Sequence, residues 1–250
     1  MRASLVQSLF VTFMLYDWLT PAHFIMVGLL LGFAIIHSGL AALRSWGESK
    51  IGARLYRVLF ALLSLPSAVI LIAYFINHRY EGAQLWMLQG LPGMKPLVWG
   101  LSFISFLFLY PATFNLLEVA AIARPQVHLF EKGIIRVCRH PQMVGQVIWC
   151  IAHTLWLGTT FTLVTSIGLV AHHVFAVWHG DRRLKRRYGE SFDALKSRTS
   201  IVPFLAIAQG RQTFEWQEFL RPSYVGVIAF VFGFWWAHPW LMQATGNLSW

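Results

Sequence analysis

Four histidines, His37, His153, His172 and His173, stand within long apolar runs of this 250-residue chain. An ionisable group inside hydrocarbon is costly and is a functional candidate by default. His37 lies in FAIIHSGLAALR, seven residues before Arg44. His153 shares its segment with Gln142, Gln146 and Cys150; spacings of four, four and three put these side chains on one helical face. His172, Phe175, His179 and Arg183 make a similar stripe. Polar stripes on membrane helices should face a bundle interior, so three helices are expected to bring imidazole inward. A core histidine bonded to a carbonyl or Ser explains any one of them as well as a function does, but explains three less well. His23, His128 and His238 fall near the ends of apolar runs, and His78, in NHRYEG, reads as a solvated or capping residue.

Zinc would take these imidazoles with thiolate or carboxylate in a tetrahedral set. Di-iron bundles need several inward carboxylates. Buried carboxylates are too few here, Glu118 standing at the end of an apolar run. A haem asks only for one or two axial side chains and an apolar pocket, and the chain is 16% aromatic. Haem b is the metal centre that best suits this supply.

Two polar motifs flank the histidine helices. In CRHPQMVGQ, Pro141 suits the first position of a helix, with Arg139 and His140 at its mouth. In HGDRRLKRRYGESF, Asp181 is expected to pair locally with Arg182 and Arg183. Together these motifs resemble membrane methyltransferases of the isoprenylcysteine carboxyl methyltransferase type. That resemblance implies an S-adenosylmethionine site and a rival function, although Gly180 and Asp181 stand where those enzymes prefer glutamates. Cys138 and Cys150, twelve residues apart in an expected single helix, are too distant for a disulfide.

The elements that position these residues are membrane helices. The chain is 57% hydrophobic and 12% charged, about half the charge of an ordinary soluble domain, and its mean hydropathy is +0.57. A single all-α domain over residues 1–250 is expected, an integral membrane bundle of about six transmembrane helices. The spans read Pro21–Leu43, Leu55–Asn77, Leu97–Val119, Gln142–Leu163, Thr165–Val177 with an extension to Leu184, and Tyr224–Met242, with a tight turn within Gly158–Ser166. Of the 20 Lys and Arg residues, 17 fall on one side of this layout, which fixes the cytoplasmic side. The net charge of +10 therefore marks membrane topology and not nucleic-acid binding. The residues from Gly180 to Phe204 predict a structured, basic cytoplasmic cap. The first twenty residues read as an interfacial or buried helix, without the pattern of a signal or transit peptide.

At HSGLAALR, RVCRHPQMVGQVIWCIAHTLW and HHVFAVWHGDRRLKRRYGESFDALKSRTSIVPF, the sequence resembles the NnrU family. The resemblance implies an integral membrane haem b enzyme of oxygenic phototrophs, in a cyanobacterial membrane or the plastid envelope or thylakoid. Its activity would be conversion of the central 15-cis double bond of a tri-cis zeta-carotene to trans, redox-neutral overall. An electron donor and neighbouring carotenoid desaturases are the implied partners. It places the iron ligands on His37 and His153 and a redox-dependent alternative ligand on Cys150, and His78, His140 and His172 also match histidines of the family pattern, without an assigned role. The family name leaves room for a haem accessory protein of nitrogen-oxide metabolism. Depth sets a test for the ligand pair. At about 1.5 Å per residue, His37 lies about 10 Å from Arg44, His153 about 20 Å from Arg139 and His172 about 15 Å from Arg182. His172 is thus an alternative partner for His37.

Overall fold

A computed structural model describes residues 18–109, 129–220 and 222–246; the expected N-terminal helix, His128 and Glu118 lie outside them. Among the described residues, four helices are long and apolar enough to cross a membrane: Pro21–Ile51, Ala53–His78, Thr160–Tyr188 and Tyr224–Ala244. The sequence count of six is not reached on this criterion. The third expected span is described only over Met94–Leu109, and the fourth, Pro141–Leu157, has 17 residues.

Helix α1 (Pro21–Ile51) starts with Thr20 as N-cap and Pro21 at its first position. It runs eight residues past its predicted end because Arg44 and Glu48, one turn apart, pair at 2.7 Å. Gly52 alone separates it from α2 (Ala53–His78), which folds back antiparallel. His37 meets Ser64, and Leu40 meets Tyr56. Helix α3 (Met94–Leu109) follows, and after the short α4 (Ile134–Val137) comes α5 (Pro141–Leu157). The α3–α5 contact needs Gly145: a Cβ there would lie 2.7 Å from the Ser105 carbonyl, and Ser105 Oγ donates to the Gly145 carbonyl at 2.8 Å. Close approach at small residues is how helices associate where lipid removes the hydrophobic drive between them.

The expected tight turn is shorter than the sequence suggested. Gly158, at φ 63°, ends α5 in the left-handed region, and Thr159 immediately caps α6 (Thr160–Tyr188), its Oγ1 accepting from Thr162 N at 3.2 Å. The fifth span therefore begins at Thr160, and the fourth stops at Leu157. The loop after α2 covers this turn. Gln84 Nε2 donates to the Leu157 carbonyl at 2.9 Å, Trp86 Nε1 to Leu155 at 3.3 Å and Gln89 Nε2 to Trp156 at 2.8 Å, satisfying carbonyls that the end of a helix leaves free.

The packing has two sides. Met26, Leu30, Leu71, Tyr74, Phe75, Leu157 and Phe161 form one core among α1, α2, α5 and α6. Phe106, Val227 and Val231 form another, between α3 and the last helix, α9 (Pro222–Gly246). The outer faces stay apolar: Ile35, Leu62 and Val69 are each more than 60% exposed, a surface suited to lipid and not to water.

At the basic end, a cap forms as expected from α4, α7 (Glu190–Arg198), α8 (Leu205–Ala208) and a 3-10 turn at Trp216–Phe219. Arg136 Nε pairs with Glu218 at 2.9 Å, Arg198 with Glu131 at 2.7 Å, and Phe204 N donates to the Val137 carbonyl at 3.0 Å. Cys138 lies in this cap, outside α5, so the two cysteines do not share a helix; both are free and buried. Burial pushes the Cys138 thiol up to about 11, and its sulfur donates to the Ile201 carbonyl at 3.0 Å. Its role is packing.

Candidate functional site

Hydrogen bonds fix what each imidazole can still do. His23 is buried, and its Nδ1 accepts from Thr20 N at 3.0 Å. Its proton must therefore sit on Nε2, which reaches Thr160 Oγ1 at 3.2 Å. Both nitrogens are used, so His23 braces the start of α1 against α6. His153 has the opposite arrangement. Its Nδ1 lies 2.9 Å from the Trp149 carbonyl, which can only accept. The proton is on Nδ1, and Nε2 keeps its lone pair without a hydrogen bond among the described residues. The ring stacks on Trp149 at 3.8 Å.

His37 is also held through Nδ1, but by a hydroxyl that can donate or accept and so leaves the tautomer open. Its Nδ1 lies 2.6 Å from Ser64 Oγ on α2, leaving Nε2 without a hydrogen bond among the described residues. Phe33 stacks on the ring at 5.1 Å and Phe60 tilts against it at 5.0 Å. The nearest imidazole is His172 of α6, at 6.1 Å between centroids, with His173 5.7 Å beyond. His172 Nδ1 is buried and makes no hydrogen bond among the described residues.

The structure thus joins His37 to His172 and leaves His153 apart. Among the described residues no hydrogen bond or ring contact links His37 with His153. Trp149, under His153, packs on Phe75 at 5.7 Å, and Phe75 lies eleven residues, about 16 Å, along α2 from Ser64. The depth difference expected from sequence persists in the packing. Cys150 is buried three residues before His153, with Gln146 Nε2 3.5 Å from its sulfur, and the sulfur faces the Ser166 carbonyl at 3.7 Å. The α6 stripe is only partly interior, since Phe175 is half exposed. His78 is half-buried, its ring tilted against Tyr74 at 4.1 Å, with Nδ1 3.4 Å from Glu81.

His140 stands elsewhere. As N-cap of α5 it points Nε2 at Asp181 Oδ1, 2.9 Å away, and Arg139 reaches the other carboxylate oxygen at 3.5 Å. The Arg139 N–H donates to the Ser200 carbonyl at 2.7 Å, and its side chain to Thr199 at 3.2 Å. The local pairing expected for Asp181 is therefore wrong. On a helix, adjacent residues diverge by about 100°, so Arg182 lies over Trp178 and Arg183 donates to the Ala41 carbonyl at 2.9 Å, while Asp181 faces α5. The two polar motifs do meet, as a salt bridge holding α6 to the start of α5.

Sequence reasoning missed Ser64 and Trp149 as partners of the imidazoles. Trp149 was legible as the residue four before His153; Ser64 is on another helix, and only the α1–α2 register reveals it.

Among the described residues no group of three or more His, Cys, Asp or Glu is placed to hold a metal ion. A bare-ion site therefore has no support, whereas a haem needs only one or two imidazoles. His37 and His153 fit that need: each has Nδ1 engaged and Nε2 clear, the arrangement that orients ligating histidines. His172 adds a third half-buried imidazole.

An all-α membrane bundle with inward imidazoles and a basic cap defines the class. The chain belongs to the NnrU protein family, which it matches over residues 25–245. It is 55% identical over 228 residues to a protein of Arabidopsis thaliana named 15-cis-zeta-carotene isomerase, chloroplastic. It is 54% identical over 229 residues to a protein of the same name from Zea mays. Each alignment covers 90% of this chain but only 62% and 63% of those relatives. No solved structure matches the chain.

Proposed function

We propose that this chain is a 15-cis-zeta-carotene isomerase, turning the central cis double bond of 9,15,9'-tri-cis-zeta-carotene to trans. The observation that carries this reading is identity of more than half with relatives of that name along 90% of the chain. The membrane of a phototroph, where a C40 polyene dissolves, is its proposed location.

The cofactor proposed is haem b, which when bound would supply an iron able to share electron density with the conjugated chain and lower the order of its central bond. His37 is the proposed ligand on one side. Ser64 holds its ring through Nδ1 and so aims Nε2. For the second ligand the family resemblance favours His153, and the packing offers His172, the imidazole nearest His37. The apolar outer faces admit a polyene laterally from lipid, and Phe33 and Phe60 line the imidazole with rings that exclude water. No acid or base is required, since no atom is added or removed.

Purified, haem-reconstituted protein tests this directly. Reduced enzyme should convert the tri-cis substrate to the 9,9'-di-cis product; haem-loaded, reduced protein that leaves it unchanged would overturn the activity. The variants His153→Ala and His172→Ala separate the two ligand readings: the one that turns a low-spin Soret spectrum high-spin removes the second ligand. Tight S-adenosylmethionine binding with featureless visible absorption would favour the methyltransferase instead.

A further inference from the structure

The basic cap is not polar throughout. Val202, Phe204, Phe214, Trp216 and Leu220 are each at least half exposed, Leu220 at 71%. Phe204 is also the one residue other than glycine with positive φ among the described residues, at 62°. A Cβ makes that conformation costly. The backbone nevertheless holds it there: Phe204 N donates to the Val137 carbonyl at 3.0 Å, and the Phe204 carbonyl accepts from Ala208 N at 2.8 Å. A ring held outward at a strained position gains nothing from water, whereas an apolar or interfacial medium would offset the strain.

A run of rings joins this surface to the membrane. Phe204 meets Phe214 at 6.3 Å, Phe214 meets Phe219 at 5.5 Å, and Phe219 meets Tyr224 at 5.0 Å. Tyr224 is the first residue of the 21-residue apolar stretch of α9. At about 1.5 Å per residue that stretch is about 31 Å long, close to the roughly 30 Å of a hydrocarbon core, so Tyr224 stands at its boundary. No helical length remains to lift this edge of the cap off the bilayer. Helix α6 differs: its 29 residues make about 43 Å, and the excess at its basic end carries Glu190 out into water.

Charge suits the same partner. Positions 182 to 220 hold eight Lys and Arg against four Asp and Glu, a balance that favours an anionic lipid surface. Arg211, exposed and three residues before Phe214, donates only to neutral oxygens, the carbonyls of Ser197 and Thr199 and Gln209 Oε1. Its guanidinium can still take a phosphate. Aromatic rings beside a guanidinium match the layer where acyl chains give way to headgroups.

We propose that the edge of the cap carrying Phe204, Phe214, Trp216 and Leu220 dips into the bilayer leaflet on the basic side, with Arg211 at the phosphates. The cap is then a membrane-interface anchor and not a domain standing in water. It also holds the segment that leads into α5, through the Phe204–Val137 bond and the 3.0 Å bond from Cys138 to the Ile201 carbonyl. The anchor therefore sets the depth of the helix that carries Cys150 and His153. None of this depends on the cofactor or the reaction.

The test places a nitroxide on full-length protein in nanodiscs of phosphatidylcholine and phosphatidylglycerol, at Phe204→Cys, at Trp216→Cys or, as the aqueous reference, at Glu190→Cys. Cys138 and Cys150 are buried and should stay unlabelled, which wild type treated alike verifies. Collision with oxygen, which concentrates in lipid, is compared with collision with a water-soluble nickel chelate. Labels at 204 and 216 should favour oxygen severalfold, and the label at 190 should favour nickel. Nickel favoured at all three positions puts the patch in water and overturns the proposal. Protection from both reagents at 204 and 216 means that protein covers the patch, a second copy or another partner, and overturns it as well. Wild type supplies a check that no substitution can spoil. Phosphatidylcholine with a photoreactive group in its upper acyl chain should label peptides within 201–220 as well as α9. Labelled α9 beside unlabelled 201–220 overturns the proposal.

Discussion

His37, within α1, and His140, the N-cap of α5, are held from opposite sides of the ring. Ser64 takes His37 through Nδ1 at 2.6 Å and leaves Nε2 clear, among aromatic rings. Asp181 takes His140 through Nε2 at 2.9 Å, beside Arg139. A neutral partner on Nδ1 orients a ring whose outer lone pair remains for a metal. A carboxylate on Nε2 uses that nitrogen and ties two elements together. The first arrangement suits ligation and the second suits fastening, and His153 falls with the first because the Trp149 carbonyl forces its proton onto Nδ1. His23, with both nitrogens engaged, marks the fully structural extreme.

The strongest way to break this contrast is to exchange imidazoles for alanine. His37→Ala should lose bound haem and isomerisation together, by more than the roughly 10–100-fold that loss of an outer partner costs. His140→Ala should keep the haem spectrum. Equal haem loss in both variants would erase the distinction between ligating and fastening histidines. Ser64→Ala comes next in size. It should weaken haem affinity about tenfold and leave protein yield and fold unchanged, because only the orientation of His37 is released. The readout is Soret titration, and an unchanged affinity would mean that Ser64 merely fills space.

The contrast also shows which parts of the molecule its sequence discloses. The long apolar helices α1, α2, α6 and α9 and the basic cap were legible, because apolar length and runs of Arg and Lys stand out in the residues themselves, whereas the count of six spans was not reached among the described residues. The start of α5 at Pro141 followed from the missing N–H of proline. The turn at Gly158 was located but drawn too long, since only backbone geometry reveals that one left-handed glycine and one capping threonine suffice. The imidazoles were legible as candidates and their grouping was not. Whether His37 meets His172 or His153 depends on how α1 slides against α5 and α6, and composition carries no register. The error at Asp181 has the same origin: a neighbour in sequence was taken for a neighbour in space.

A smaller effect is expected where α6 is fastened to the start of α5. Asp181→Asn keeps the shape but removes the charge facing His140 and Arg139, and should destabilise the protein by about 2 kcal/mol, as for a partly buried charged hydrogen bond. A fall in thermal midpoint with an unaltered haem spectrum is the expected pair of results. Loss of the spectrum would move this salt bridge into the cofactor site.

The smallest effect belongs to the outer edge of the cap. Hydrogen bonding from Arg198 is the largest influence on Glu131, and with Gln212 and Arg136 it holds that carboxyl below the usual carboxylate range despite partial burial. A folded pKa lower than the unfolded one means that Glu131 binds protons more readily in the unfolded chain. Its contribution is therefore fully present above the ordinary carboxylate pKa and fades as pH falls through the depressed folded value. Thermal midpoints of wild type and Glu131→Gln should differ slightly at neutral pH and converge in acid. Because Arg198 is exposed, salt should shrink the neutral-pH difference. A difference that persisted unchanged into acid would mean that shape at Glu131, and not its charge, holds this edge of the cap.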